Sequence, residues 1–182
     1  MAIYVAMLRG INIGPHKRIK MDALRKSLEG LGFGKVKTYI QSGNVVFETG
    51  KRSAAALGSR IKNRIISDFG HSVEVMVRSR EEMEKTIGNN PFLKERGIDP
   101  EKLHVTFLSD APAASGLKKL EEFTIPPDRS QCVGREIHLY FPNGVSGSSL
   151  WKTPWERELR VGSTTRNWKT VNAIYQMCRD CG

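Results

Sequence analysis

Long apolar runs are missing from this sequence. None approaches the roughly 18 residues that a membrane-spanning helix needs, so no membrane association is expected. Cysteine is scarce: Cys132, Cys178 and Cys181 are an odd set without the spacing of a disulfide scaffold. Reduced thiols in a cytoplasm are the simplest account. The opening stretch MAIYVAMLRG has no basic segment ahead of its apolar one and reads as a first strand rather than a signal peptide. Catalytic signatures are also lacking. There is no Gly-x-Ser-x-Gly elbow and no His-Glu-x-x-His. Gly10-Ile-Asn-Ile-Gly14 matches neither a Walker A loop nor a dinucleotide fingerprint in spacing. No cofactor and no metal are therefore expected. Cys178-Arg-Asp-Cys181 follows a helix, whereas a redox pair sits at a helix start and a zinc site needs further ligands. His16, His71, His104 and His138 are scattered. The last two fall in strands of the second half, where they read as a facing structural pair.

Acidic residues are sparse in one half only. Residues 1–80 contain 15 Lys or Arg against 5 Asp or Glu, and residues 81–182 contain 14 of each. The whole formal net charge of +10 thus sits in the first half. Such a field attracts anionic partners.

The apolar periodicity gives the fold class. Ile3 to Leu8 suits a buried strand. Met21, Leu24, Leu28 and Leu31 mark one helix face, ended by Gly32 and Gly34. Val36 to Ile40 and Val45 to Phe47 flank Gln41-Ser42-Gly43-Asn44, a hairpin signal. Ser53 can cap a helix carrying Leu57, Ile61, Ile65 and Phe69, and Gly70 ends it. Val73, Val75 and Val77 alternate with polar residues, as in a half-buried strand. The order β-α-β-β-α-β is the ferredoxin-like split unit. After a connector at 79–101 the order restarts. LHVTFL at 103–108 resembles IYVAML at 3–8. A short helix at about 113–123 and a hairpin around Gly134-Arg135 follow. No final strand is visible, and the last helix is placed after Thr164-Thr165, with either Thr as its cap. The expectation is an α+β protein of two ferredoxin-like (α-β plait) subdomains. Residues 1–80 form the basic one and 81–182 the neutral one, which lacks its last strand and ends in helices.

The split βαβ topology runs the first two strands in the same direction. The loop after strand one and the turn between strands two and three then share one end of the sheet. That end gathers Arg9, Gly10, Asn12, Gly14, Lys17, Arg18 and Lys20 with Gln41, Ser42 and Asn44. Glycines let a backbone approach a ligand, basic side chains supply charge, and the helix start near Lys20-Met21-Asp22 offers free N–H groups. Together they suit a phosphate or carboxylate. Arg166 and Asn167, read as the first turn of the last helix, either join this site or, with Trp168, form an inter-domain latch. Tyr4 and Phe47 occupy the strands on which RNA-recognition motifs display aromatics, but NVVFET is not the basic-Gly-aromatic pattern, so both read as core.

The blocks MLRGINIG, IKM, TYIQSGNVVF and TRNWKTV, which start at Met7, Ile19, Thr38 and Thr165, resemble the bacterial family called domain of unknown function 1697. The resemblance covers essentially the whole chain. It implies two α-β plait subdomains and no established activity, substrate or catalytic residue. The leading function is a binding module for an anionic ligand, foremost nucleic acid or a nucleotide-like phosphate, at Arg9, Asn12, Lys20, Gln41, Ser42, Asn44, Arg166 and Asn167. The alternatives are a small enzyme acting on a phosphorylated or carboxylated metabolite, and an interaction module that dimerises through an exposed strand edge.

Overall fold

Strand β1 (Ala2–Leu8) is the central element of the first half, and all but its first residue are buried. The computed structural model describes all 182 residues. They divide into one unit of Met1–Lys85 with Ala173–Gly182 and another of Thr86–Asn172. In the first, β1 is followed by α1 (Met21–Glu29), β2 (Gly34–Tyr39), β3 (Asn44–Thr49), α2 (Ala54–Phe69), β4 (Val75–Ser79) and α3 (Arg80–Gly88). The sheet order is β2-β3-β1-β4 with every neighbour antiparallel. Tyr4, Ala6 and Leu8 point to one face and pack with Leu24 and Leu28 of α1 and Leu57, Ile61 and Ile65 of α2. These are the apolar stripes that the helical periodicity marks. Ser53 caps α2, its hydroxyl accepting from Ala56 N–H, and Gly70 closes it in the left-handed conformation.

The second unit repeats the plan. It contains β5 (Leu103–Leu108), α4 (Ala114–Phe123), β6 (Arg129–Val133), β7 (Glu136–Tyr140), α5 (Trp155–Glu158) and β8 (Ser163–Asn167), with α6 (Trp168–Cys181) beginning in it. Its sheet order is β6-β7-β5-β8. Short 3-10 turns at Val145–Gly147 and Leu150–Lys152, with α5, stand where the first unit has α2. The chain is therefore an α+β protein with two plait-like subdomains, and no helix is long and apolar enough to cross a membrane.

The final strand corrects one expectation. Thr164, Thr165, Arg166 and Asn167 are not a helix start: they belong to β8, which pairs with β5 along its whole length. Ser-Thr-Thr-Arg-Asn carries no apolar alternation, so hydrophobic periodicity is silent on it. The β-branched threonines suit the pleat. Helix α6 starts at Trp168, and its cap is Asn167, whose Oδ1 accepts from Thr170 N–H at 2.8 Å.

The repeat extends to register. Val5 lies opposite Val46 on one side and Arg78 on the other. Val105 lies opposite His138 and Arg166. Leu8 N–H donates to the Gly43 carbonyl at 2.9 Å, and Leu108 N–H donates to the Arg135 carbonyl at 2.9 Å. Arg9 N–H bonds the Glu74 carbonyl just as Ser109 N–H bonds that of Gly162. Ile3 to Leu8 of β1 thus each have a counterpart 100 positions on in β5.

Candidate functional site

The loop after β1 and the β2–β3 turn meet, as the strand directions require. Gly43 makes this possible. It has φ +80, and a Cβ there would lie 2.6 Å from Ile11 Cδ1 and 2.9 Å from Leu8 Cβ. The turn can sit on the loop only because that side chain is absent.

Asn12 locks the two together. It adopts φ +55, a region that Asn tolerates better than most residues. Its side-chain amide donates to the carbonyls of Ile19 (2.9 Å) and Gln41 (2.8 Å), while its Oδ1 accepts from Ile19 N–H at 2.8 Å. The side chain is committed to shaping the loop. Asn44 is similar: it is buried, and its amide donates to the Tyr39 carbonyl and to Ser42 Oγ, both at 3.0 Å. Lys17 Nζ donates to the Ser72 carbonyl at 2.8 Å, tying the loop tip to the segment before β4.

The result is a cleft of about 430 Å³ lined by Asn12, Arg18, Ile19, Lys20 and Gln41. Lys20 is the N-cap of α1 and provides no side-chain cap, and the first turn holds one acid, Asp22. Of the five acids in residues 1–80, four are engaged elsewhere: Glu29 with Arg25, Glu48 with Lys35, Asp68 with Arg64 and Glu74 with Lys62. A hydrogen bond from Ser27, with the Arg64 charge, holds the Asp68 carboxyl below the usual carboxylate range. Lys20 is exposed and joins none of these pairs. Arg9 is also exposed, at the start of the loop. The cleft is a concave, positively charged surface with no carboxylate, imidazole or thiol in its lining.

The remaining predicted residues lie elsewhere. Arg166 and Asn167 belong to the second unit. Arg166 is buried on its sheet, donating to Thr164 Oγ1 at 2.8 Å and to the Thr165 carbonyl at 2.9 Å. Burial pushes its pKa down to about 10. Asn167 spends its side-chain oxygen on the α6 cap. Tyr4 and Phe47 are paired across strands on the helix-covered face with ring centroids 5.9 Å apart, so they are core and offer no stacking surface.

His104 and His138 do not face each other. His104 is opposite Leu139, and His138 is opposite Val105, one residue out of step and so on the other face of the sheet. His138 is buried without a partner for either ring nitrogen, and burial lowers its pKa to about 4. Cys178 and Cys181 are both buried, and burial pushes the Cys178 thiol up to about 12. That is the opposite of an activated thiol. No cluster of three or more His, Cys, Asp or Glu side chains is placed to hold a metal ion. A second cleft, beside the start of α6, is not visible in the sequence because its lining comes from three separated segments.

The family model described as a protein of unknown function (DUF1697) matches residues 1–138. Among solved structures, the conserved bacterial protein SP0830 from Streptococcus pneumoniae shares the fold with a TM-score of 0.78. It is 24% identical, and the alignment covers 97% of this chain and 98% of that one. A search of curated proteins finds no match.

Proposed function

We propose that this chain, which belongs to the DUF1697 family of proteins of unknown function, is a binding module for a phosphate-bearing ligand, foremost nucleic acid, at the cleft between the Arg9–Lys20 loop and the β2–β3 turn. The observation that carries this reading is the combination of an uncapped α1 start with Arg18 and Lys20 in a cleft shaped by Asn12. Two cations line the cleft beside the start of α1 without a carboxylate in the lining. An anion entering the cleft meets positive charge, the favourable end of a helix dipole and donors already held in place. Asn12 and Asn44 act in this reading as positioning residues, and Arg9 extends the positive surface at the rim. The lining has no carboxylate, imidazole or thiol to pair with its cations, which favours binding over turnover at this cleft.

The test is anisotropy of a labelled oligonucleotide across a salt series. With about three phosphate contacts, log K should fall against log salt with a slope near −2.7 on duplex DNA. Arg18→Glu with Lys20→Glu should weaken binding by more than tenfold, and Lys118→Glu, in the other unit, should not. Absence of binding at low salt, or an unchanged double variant, would refute the reading.

A further inference from the structure

Two exposed isoleucines flank the basic cleft of the first unit. Ile13 follows Asn12 and Ile40 precedes Gln41, the two residues whose hydrogen bond joins the loop to the turn. Ile13 is 70% exposed and Ile40 is 50% exposed. Ile13 is bridged to His16, so it stands on a fixed loop tip. Single exposed apolar residues are ordinary on a protein surface. Here two of them adjoin the two ends of one hydrogen bond, beside a cleft lined by Arg18 and Lys20.

The backbone at Ile40 sharpens the point. It has φ +49, a conformation that costs a β-branched residue stability relative to Asn or Gly. Asn12, with φ +55, answers the same cost with three side-chain hydrogen bonds. A half-exposed isoleucine has no such bonds to offer, and core packing is not what its position serves. Backbone strain of this kind gathers at ligand clamps. The surface around the cleft thus combines cations with apolar side chains and has no carboxylate in its lining. Its complement is a ligand that carries phosphates and apolar faces side by side.

We propose that the cleft takes single-stranded rather than duplex nucleic acid, with phosphates against Arg18 and Lys20 and an unpaired base packed on Ile13 and Ile40; this rests on the phosphate-binding reading given above. A duplex keeps its base faces inside the stack and leaves little apolar surface beside its phosphates. A free strand offers base faces next to its backbone. Charge by itself points the other way. The duplex has the higher charge density, so a purely cationic patch binds it at least as well. A preference for the single strand therefore reports the apolar contact. An anionic lipid surface shares the same chemistry of charge and apolar matter, but it is flat and does not enter a cleft lined by Asn12, Arg18, Lys20 and Gln41.

The probes are a labelled strand of about 16 nucleotides without self-complementarity, the same strand annealed to its complement, and phosphatidylglycerol vesicles. The free strand should bind about tenfold tighter than the duplex, and with about three phosphate contacts its log K should fall against log salt with a slope near −2.1. Ile13→Ser combined with Ile40→Asn should weaken single-strand binding about tenfold, leave duplex binding unchanged and leave the salt slope in place, because the phosphate contacts remain. Ile125→Ser, an exposed change in the other unit, should alter nothing. Thermal melts confirm that the double variant is folded, and Ile13→Ser alone repeats the test if its melting temperature falls. Duplex binding as tight as that of the free strand, or wild-type affinity in the isoleucine variant, overturns the proposal. So does Ile13-dependent retention on the vesicles without a preference for the single strand. In each of these cases the phosphate reading stands if Arg18→Glu with Lys20→Glu still abolishes binding of both nucleic acids. Absence of binding to either form refutes that reading as well.

Discussion

Asn12 reaches across 29 positions of sequence to donate to the Gln41 carbonyl at 2.8 Å. The bond joins the loop after one strand to the turn between the next two, and with the Ile19 bonds it fixes the shape of the basic cleft. Asn12→Ala removes three side-chain hydrogen bonds and leaves a Cβ-bearing residue at positive φ without local compensation. It should destabilise the protein by about 2–3 kcal/mol in chemical denaturation. Asn12→Gly loses the same bonds but accepts the backbone conformation, so its loss should be smaller. Equal stabilities of wild type and Asn12→Ala would show that the clamp contributes nothing.

Gly43 and Gly10 separate crowding from backbone strain. Both have positive φ, but a Cβ at Gly10 meets nothing within 4 Å, while one at Gly43 collides with Leu8 and Ile11. Gly10→Ala should cost about 1 kcal/mol and Gly43→Ala about 3 kcal/mol or more. Thermal melts of the two variants give the comparison, and a Gly43→Ala protein as stable as Gly10→Ala would contradict the packing described.

Ile40 presents the reverse case. It is 50% exposed at φ +49, a conformation that suits β-branched side chains poorly. Replacement by Asn should raise stability by about 1 kcal/mol, measured as a higher denaturation midpoint. A lowered midpoint would mean that its side chain makes up the strain through contacts.

His138 sets an acid limit on stability. Its folded pKa lies at about 4 against an ordinary 6.5, because burial disfavours the charged ring. Between those values the unfolded chain binds the proton and the folded chain does not. Its contribution is therefore fully present above pH 6.5 and is lost as pH falls toward 4, with a slope approaching about 1.4 kcal/mol per pH unit. His104, also lowered by burial, acts in the same direction. In His138→Leu the fall in melting temperature between pH 7 and pH 5 should be clearly shallower. An identical pH profile would count against the buried neutral ring.

Thiol labelling checks the reading of Cys178 and Cys181 as packing residues. The native protein should react with an aromatic disulfide reagent first at Cys132, the least buried of the three. In Cys132→Ser, reaction should be nearly absent until denaturant is added. Fast native labelling of that variant would show the helix end to be open.

Much of the fold was legible because its signals are local. The stripes Leu24–Leu28 and Leu57–Ile61–Ile65, the Ser53 cap and the Gly70 stop depend on spacing alone, and α1 and α2 form where those signals lie. The convergence of the Arg9–Lys20 loop with Gln41 was legible too, since it follows from strand direction once the β-α-β-β order is read. β8 was not, because Ser163–Asn167 is polar throughout and becomes a strand only by pairing with β5. Nor could sequence separate residues that build a site from those that would touch a ligand. Asn12 and Asn44 look alike as candidate binders, and only their hydrogen-bond partners reveal that both side-chain amides bond within the loop and the turn.

By itself, the sequence determined the α+β class, the repeated order and the concentration of positive charge in the first 80 residues. These rest on composition and near-neighbour periodicity. The tertiary structure decided the shared register of the two sheets, the opposite faces of His104 and His138, and the cleft beside Trp168. Each of those depends on which residues stand opposite one another across strands distant in sequence, and no local pattern encodes that pairing.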